Sequence, residues 1–160
     1  KIDLGGIVKE YAVDFATKIL RDLNIKSALV DLAGDIGLIG DKPDGTPWEI
    51  SVRHPRVSGK SVSMLRLSDV CVATSGDYER ALIINGKRYS HLINPKTGWP
   101  IDGLASCTVV SEQCLLAGST ATTASLKENY EILGWLENIG LPYLAIDTSL
   151  QVHGNLDDAL

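Results

Sequence analysis

An α+β fold with a mixed, largely antiparallel sheet and a few packed helices follows from three observations on the sequence. Short runs of β-forming residues outnumber the helical stretches. Those stretches do not alternate regularly with the runs, as a parallel βαβ array requires. One adjacent pair of runs is joined by Asn85-Gly86, a dipeptide suited to a type I′ hairpin turn.

The first element is a helix. Ile7, Val8, Tyr11, Ala12, Phe15, Ala16, Ile19, Leu20 and Leu23 recur at spacings of three and four, which places them on one stripe expected to face a core. Asp3 and Gly5-Gly6 precede it, and Asn24 falls near its end. Strands are expected at Ser27–Leu32, Asp35–Ile39 and Trp48–Arg53, with the turn-rich Asp41–Pro47 before the third. Further strands are expected at Ser61–Leu67, Cys71–Thr74, Arg80–Ile84 and Tyr89–Ile93. Lys96–Gly103 reads as a loop and Ala105–Ser111 as a buried strand. Cys114–Leu126 reads as a helix of small residues. Glu128–Ile139 is a second late helix, with Ile132, Trp135, Leu136 and Ile139 on one side. Leu141–Ile146 and Leu150–His153 close the chain as a hairpin.

The 160 residues fit a single domain over 1–160, with no repeat, low-complexity tract or linker. A net charge of −5 gives no broad electrostatic reason to bind nucleic acid or an anionic membrane. No stretch approaches the roughly 20 apolar residues of a membrane-spanning helix, so no transmembrane segment is expected in this chain. No export signal is visible, and Lys1–Gly6 reads like the interior of a longer protein. Cys71, Cys107 and Cys114 lack the spacing of a zinc cage or disulfide framework; Cys71 and Cys107 read as small core residues.

Five segments carry residues fit for chemistry. Gly5-Gly6 before a helix lets a ligand approach the backbone at an N-terminus that favours phosphate, with Lys9 adding charge; an ordinary capped helix would look similar. Asp31–Gly37, with Gly34 and Asp35, is a tight acidic turn. Thr74-Ser75-Gly76-Asp77-Tyr78 brings hydroxyls, a glycine and a ring to the end of a strand, where they can bond a heterocycle or simply form a surface turn. His91, in Tyr89–Gly98, suits a general base, a phosphate partner or a satisfied structural histidine. His54 and His153 have no catalytic company in sequence. In Cys114–Thr123, small residues allow close approach, for helix packing or for a ligand, and threonine hydroxyls are weak oxygen donors for a hard cation.

Taken in order, these segments resemble the FAD:protein FMN transferases, the ApbE-like family, most specifically in Ala73–Arg80 and Tyr89–Pro100. Members are roughly twice this long, so the resemblance implies the C-terminal portion of such a protein. It implies Mg²⁺-dependent transfer of FMN from FAD to a threonine of an acceptor flavoprotein, with AMP released. It also implies a periplasmic protein or a membrane-anchored lipoprotein. His91 matches the histidine near phosphoryl transfer, and Thr122 a threonine of the metal site. Gly6, Lys9 and Tyr11 match the helix start near the cofactor. Asp35 matches the acidic turn, and Thr74, Ser75, Gly76 and Tyr78 the loop beside the flavin; Thr97 and Gly98 extend the cofactor side.

The chain also differs from that pattern. Where the family has Ala-Asp on the late helix, this chain has Ala117-Gly118, and the loss of that carboxylate is expected to weaken a hard-cation site. Glu10 replaces a glycine and brings a carboxylate toward an anionic cofactor; Ala33 replaces a glycine, and Asn94 an aspartate. The alternative is a degenerate ApbE-like module that binds flavin or a partner protein without transferring anything.

Overall fold

The structure, a computed structural model, describes residues 4–78 and 81–156. Asp3, Glu79 and Arg80, which belong to segments singled out above, lie outside the described residues. The chain runs α1 (Val8–Asp22), β1 (Ala28–Leu32), β2 (Asp35–Ile39), β3 (Trp48–Arg53), β4 (Ser61–Leu67), β5 (Cys71–Gly76), β6 (Leu82–Ile84) and β7 (Lys87–Tyr89). It continues with β8 (Leu104–Ser111), α2 (Cys114–Leu126), α3 (Ile132–Ile139), β9 (Tyr143–Asp147) and β10 (Val152–Gly154).

Six strands form one sheet in the order β1-β2-β5-β8-β9-β10, and β3-β4 and β6-β7 form separate two-stranded ribbons. Every pairing among the described residues is antiparallel. The turns explain several pairings. Asn85 and Gly86 both take positive φ, 51° and 77°, as a type I′ turn demands, and connect β6 to β7. Ala33 and Gly34 do the same between β1 and β2, at 55° and 94°, and the Gly34 amide donates to Asp31 Oδ1 at 2.8 Å. That turn sets Asp35 at the start of β2.

The central sheet has two apolar faces. On one, Cys71, Ala73, Cys107, Val109 and Ala145 pack against Val13 of α1, Ala117 and Ala121 of α2, and Ile132 and Leu136 of α3. On the other, Leu38, Val72, Val110, Leu144 and Ile146 pack against Ile50, Val52, Leu65 and Leu67 of the β3–β4 hairpin. Alternation along β5 sends Cys71 and Ala73 to the helices and Val72 to the hairpin, as a period of two requires. All eight residues of β8 are buried because both its faces are covered.

Helix α1 corrects an expectation. Its apolar stripe faces outward: Tyr11, Phe15 and Leu23 are 59%, 53% and 66% exposed. Glu10, Val13 and Thr17 are buried instead. The reason is contact geometry. Gly37 of β2 leaves a flat spot on the sheet, and a Cβ there would lie 2.6 Å from Thr17 Cγ2 and 2.7 Å from Val13 Cγ1. The face that fits this spot is the one with Val13 and Thr17. Two smaller corrections concern length. α3 begins at Ile132 rather than Glu128, after a turn in which the Glu131 amide donates to the Glu128 carbonyl. The strand expected over Tyr89–Ile93 ends at Tyr89, and Ile93 instead forms an isolated bridge with Pro100.

Candidate functional site

The first turn of α1 carries no side-chain cap, and Gly6 keeps its approach open. An N-terminus of this kind favours an anion. Lys9, in that turn, lies 2.6 Å from the carboxylate of buried Asp35 at the start of β2. The pair ties the helix start to the β1–β2 turn. Asp14, one turn further along α1, accepts hydrogen bonds from the backbone amides of Cys114 (2.7 Å) and Leu115 (2.9 Å). It therefore caps α2 from another element, where Gln113 offers no side-chain cap.

That cap brings the inner face of α2 against α1. Gly118 is buried there, and a Cβ at this position would stand 2.5 Å from Glu10 Cγ and 2.7 Å from Glu10 Oε1. Glu10 is only 6% exposed, and its Oε2 has no hydrogen-bond partner. Burial raises its carboxyl pKa above the usual carboxylate range, its own backbone amide opposes the rise, and Asp35 adds to it. Thr122 lies one turn beyond Gly118 on the same face, and its hydroxyl is 3.5 Å from Ser75 Oγ on β5. Thr74 Oγ1 bonds Thr108 Oγ1 at 2.8 Å, which anchors the other side of β5.

These residues meet around a cavity of ≈ 380 Å³. Its lining includes Gly6, Lys9, Asp35, Thr74, Ser75, Gly76, His91 and Thr122, and also Glu10 and Gly118. Eight residues singled out from five separate stretches of sequence thus share one space. His91 is exposed on its rim, just after Ser90, whose hydroxyl accepts the Leu92 amide at 3.1 Å. Tyr11, Tyr78, Thr97 and Gly98 do not line this cavity. Tyr11 stacks on Phe15 on the outer face of α1, with ring centroids 6.1 Å apart. Tyr78 lines two neighbouring clefts along the β3–β4 hairpin. Thr97 and Gly98 lie in an exposed loop, where the Gly98 amide donates to the Asn94 carbonyl and Thr97 Oγ1 accepts the Trp99 amide. Asn94 keeps a structural acceptor, since its Oδ1 takes the Lys96 amide at 2.8 Å.

Three contributors were not legible in sequence. Asp14 looked like one more polar residue on a helix. Arg56 forms a two-pronged pair with Asp77, at 2.6 and 2.7 Å, and so holds the loop after β5 to the hairpin. The contact of Glu10 with Gly118 spans most of the chain. The other histidines are structural: His54 Nδ1 accepts the Arg56 amide, and His153 pairs with Asp147 at 3.1 Å. All three cysteines are buried. Burial pushes the Cys71 and Cys107 thiols to about 11 and about 12, and the Cys114 thiol upward as well. Among the described residues, no group of three or more His, Cys, Asp or Glu side chains forms a metal cage.

Comparison with known proteins gives the family and the fold. The family model of ApbE matches residues 1–145. The FAD:protein FMN transferase of Vibrio cholerae is 38% identical over 123 residues, 76% of this chain and 37% of that protein. The FAD:protein FMN transferase of Haemophilus influenzae is 36% identical over 124 residues, 76% of this chain and 36% of that protein. Among solved structures, the ApbE protein of Thermotoga maritima superposes with a TM-score of 0.87 at 34% identity, over 96% of this chain and 51% of that one. The apo form of the Pseudomonas stutzeri flavinyl transferase ApbE gives 0.80 at 32% identity, over 96% and 49%. The chain spans about half the length of these solved relatives and little more than a third of the two curated ones.

Proposed function

The chain belongs to the ApbE family, and from that premise we propose that it corresponds to the later half of an FAD:protein FMN transferase and carries much of its phosphoryl-transfer site. The observation that supports this most is the single cavity shared by the helix start at Gly6 and Lys9, the hydroxyl-bearing end of β5, His91 and Thr122. The donor set suits a pyrophosphate: an uncapped helix N-terminus, a lysine and several hydroxyls. It also suits Mg²⁺, which uses one or two carboxylates beside substrate phosphates and water rather than a full protein cage, and the carboxylates of Glu10 and Asp35 line the same cavity. Thr122 Oγ1 would contribute to holding Mg²⁺, and the ion would supply charge neutralisation on the pyrophosphate.

In this reading the hydroxyl of an acceptor threonine attacks the FMN phosphorus. The new bond joins threonine oxygen to phosphorus, and the bond from that phosphorus to the bridging oxygen breaks. The bridging oxygen departs with AMP, and His91 takes the hydroxyl proton. Lys9, held by Asp35, lies beside the phosphates, and the Thr74–Gly76 end of β5 orients the flavin side. We further propose, from the family resemblance, that the reaction takes place in the periplasm or at a lipoprotein anchor, which fractionation of the producing cells tests. No described helix is long and apolar enough to cross a membrane.

The test is direct. Incubation with FAD, Mg²⁺ and a threonine-bearing acceptor protein should add one FMN mass to the acceptor and release AMP. His91→Ala should lower that rate by roughly 10²-fold or more. No adduct, under conditions where a relative produces one, would leave the chain as a non-transferring module of the same fold.

A further inference from the structure

We infer that Glu10 supplies the carboxylate that binds the divalent cation in this cavity, and that Gly118 is the vacancy on α2 that admits it. The inference deepens the phosphoryl-transfer reading and rests on it for the identity of the cation class. Three observations carry it. Glu10 is buried and faces the cavity, yet its Oε2 has no hydrogen-bond partner. A buried carboxylate oxygen left in that state is costly, and such groups are retained where a cation or ligand completes them. The oxygen chemistry suits a hard cation, because the hydroxyl-bearing Thr122 and Ser75 line the same cavity.

The third observation is steric. A Cβ at position 118 would stand 2.7 Å from Glu10 Oε1. An aspartate oxygen stands two bonds from its own Cβ, so positions 10 and 118 compete for one carboxylate-sized volume. A Cβ at position 118 therefore forces the Glu10 side chain out of its present place. The glycine on α2 and the glutamate on α1 are therefore one feature, and the carboxylate expected to be missing at Gly118 is supplied from the facing helix.

Mn²⁺ serves as the probe, because it takes the same oxygen ligands and free Mn²⁺ is read by electron paramagnetic resonance. Titrations use the 160-residue chain with and without FAD, and circular dichroism checks the fold of each variant. The wild type should bind one Mn²⁺, and Glu10→Gln should weaken binding roughly tenfold or more. The paired exchange Glu10→Gly with Gly118→Asp should restore affinity to within a few-fold. Wild-type affinity in Glu10→Gln overturns the inference, as does a wild type that binds no Mn²⁺ or a folded paired variant that recovers nothing. If the paired variant does not fold, Glu10→Asp decides: it should bind better than Glu10→Gln, and equal affinities overturn the inference. The acceptor mass assay is read separately. An FMN adduct alongside unchanged Mn²⁺ binding in Glu10→Gln sinks only the role of Glu10, whereas wild-type Mn²⁺ binding that depends on Glu10 without any adduct sinks only the transferase reading.

Discussion

The two faces of α1 contradict the usual sense of an amphipathic helix. Its outer face carries Ile7, Val8, Tyr11, Phe15, Ile19 and Leu23, all exposed. Its inner face carries Glu10, Val13, Asp14 and Thr17, half of them ionisable. The difference shows that the inner face is selected by specific contacts rather than by mean hydropathy. Glu10 meets the cavity, Asp14 caps α2, and Val13 and Thr17 fit over Gly37. Asp14 and Thr17 are held there by hydrogen bonds, and the apolar stripe meets no facing element within the described residues.

Asp14→Ala tests this comparison most severely. It removes two charge-assisted hydrogen bonds and leaves the Cys114 and Leu115 amides uncapped, so urea unfolding should show a loss of about 2–3 kcal/mol. Thiol labelling gives a second readout. With its thiol held near 11, Cys71 is almost wholly protonated at pH 8 and should label slowly; thiolate appears only as pH climbs toward that value. Cys71 and Cys114 lie beneath Asp14, so both should label faster in the variant. Gly37→Ala should follow, at about 1–3 kcal/mol, because its Cβ forces α1 away from the sheet. It should also disturb the cavity, since Glu10 rides on the same helix.

Phe15→Lys on the outer face should have the smallest effect, within about 0.5 kcal/mol in urea unfolding of this chain. A loss as large as that of Asp14→Ala would break the comparison, because it would mean the outer stripe is covered after all. Sedimentation of the wild type would then be expected to show self-association.

Much of this molecule was legible in advance. The bounds of β2, β3, β4 and α2 match the expected runs, the Asn85-Gly86 turn forms, and the closing hairpin pairs β9 with β10. Eight of the residues drawn from the resemblance line one cavity. The stripe that includes Tyr11 was expected to face a core and faces outward, since periodicity shows which residues share a face but not what the face meets. Gly118 was read as a lost charge because the side chain that replaces it belongs to another helix.

The sequence by itself determined the elements, their turns and the family. Each of these depends on side-chain pattern and backbone preference within a few residues, or on motifs that keep their order along the chain. Only the tertiary structure decided which face of α1 is inner, that Asp14 caps a helix 100 residues later in the chain, and that Glu10 fills the space beside Gly118. Those outcomes depend on contacts between distant segments, where a flat spot at one glycine or an uncapped amide outweighs the hydrophobicity of a whole stripe.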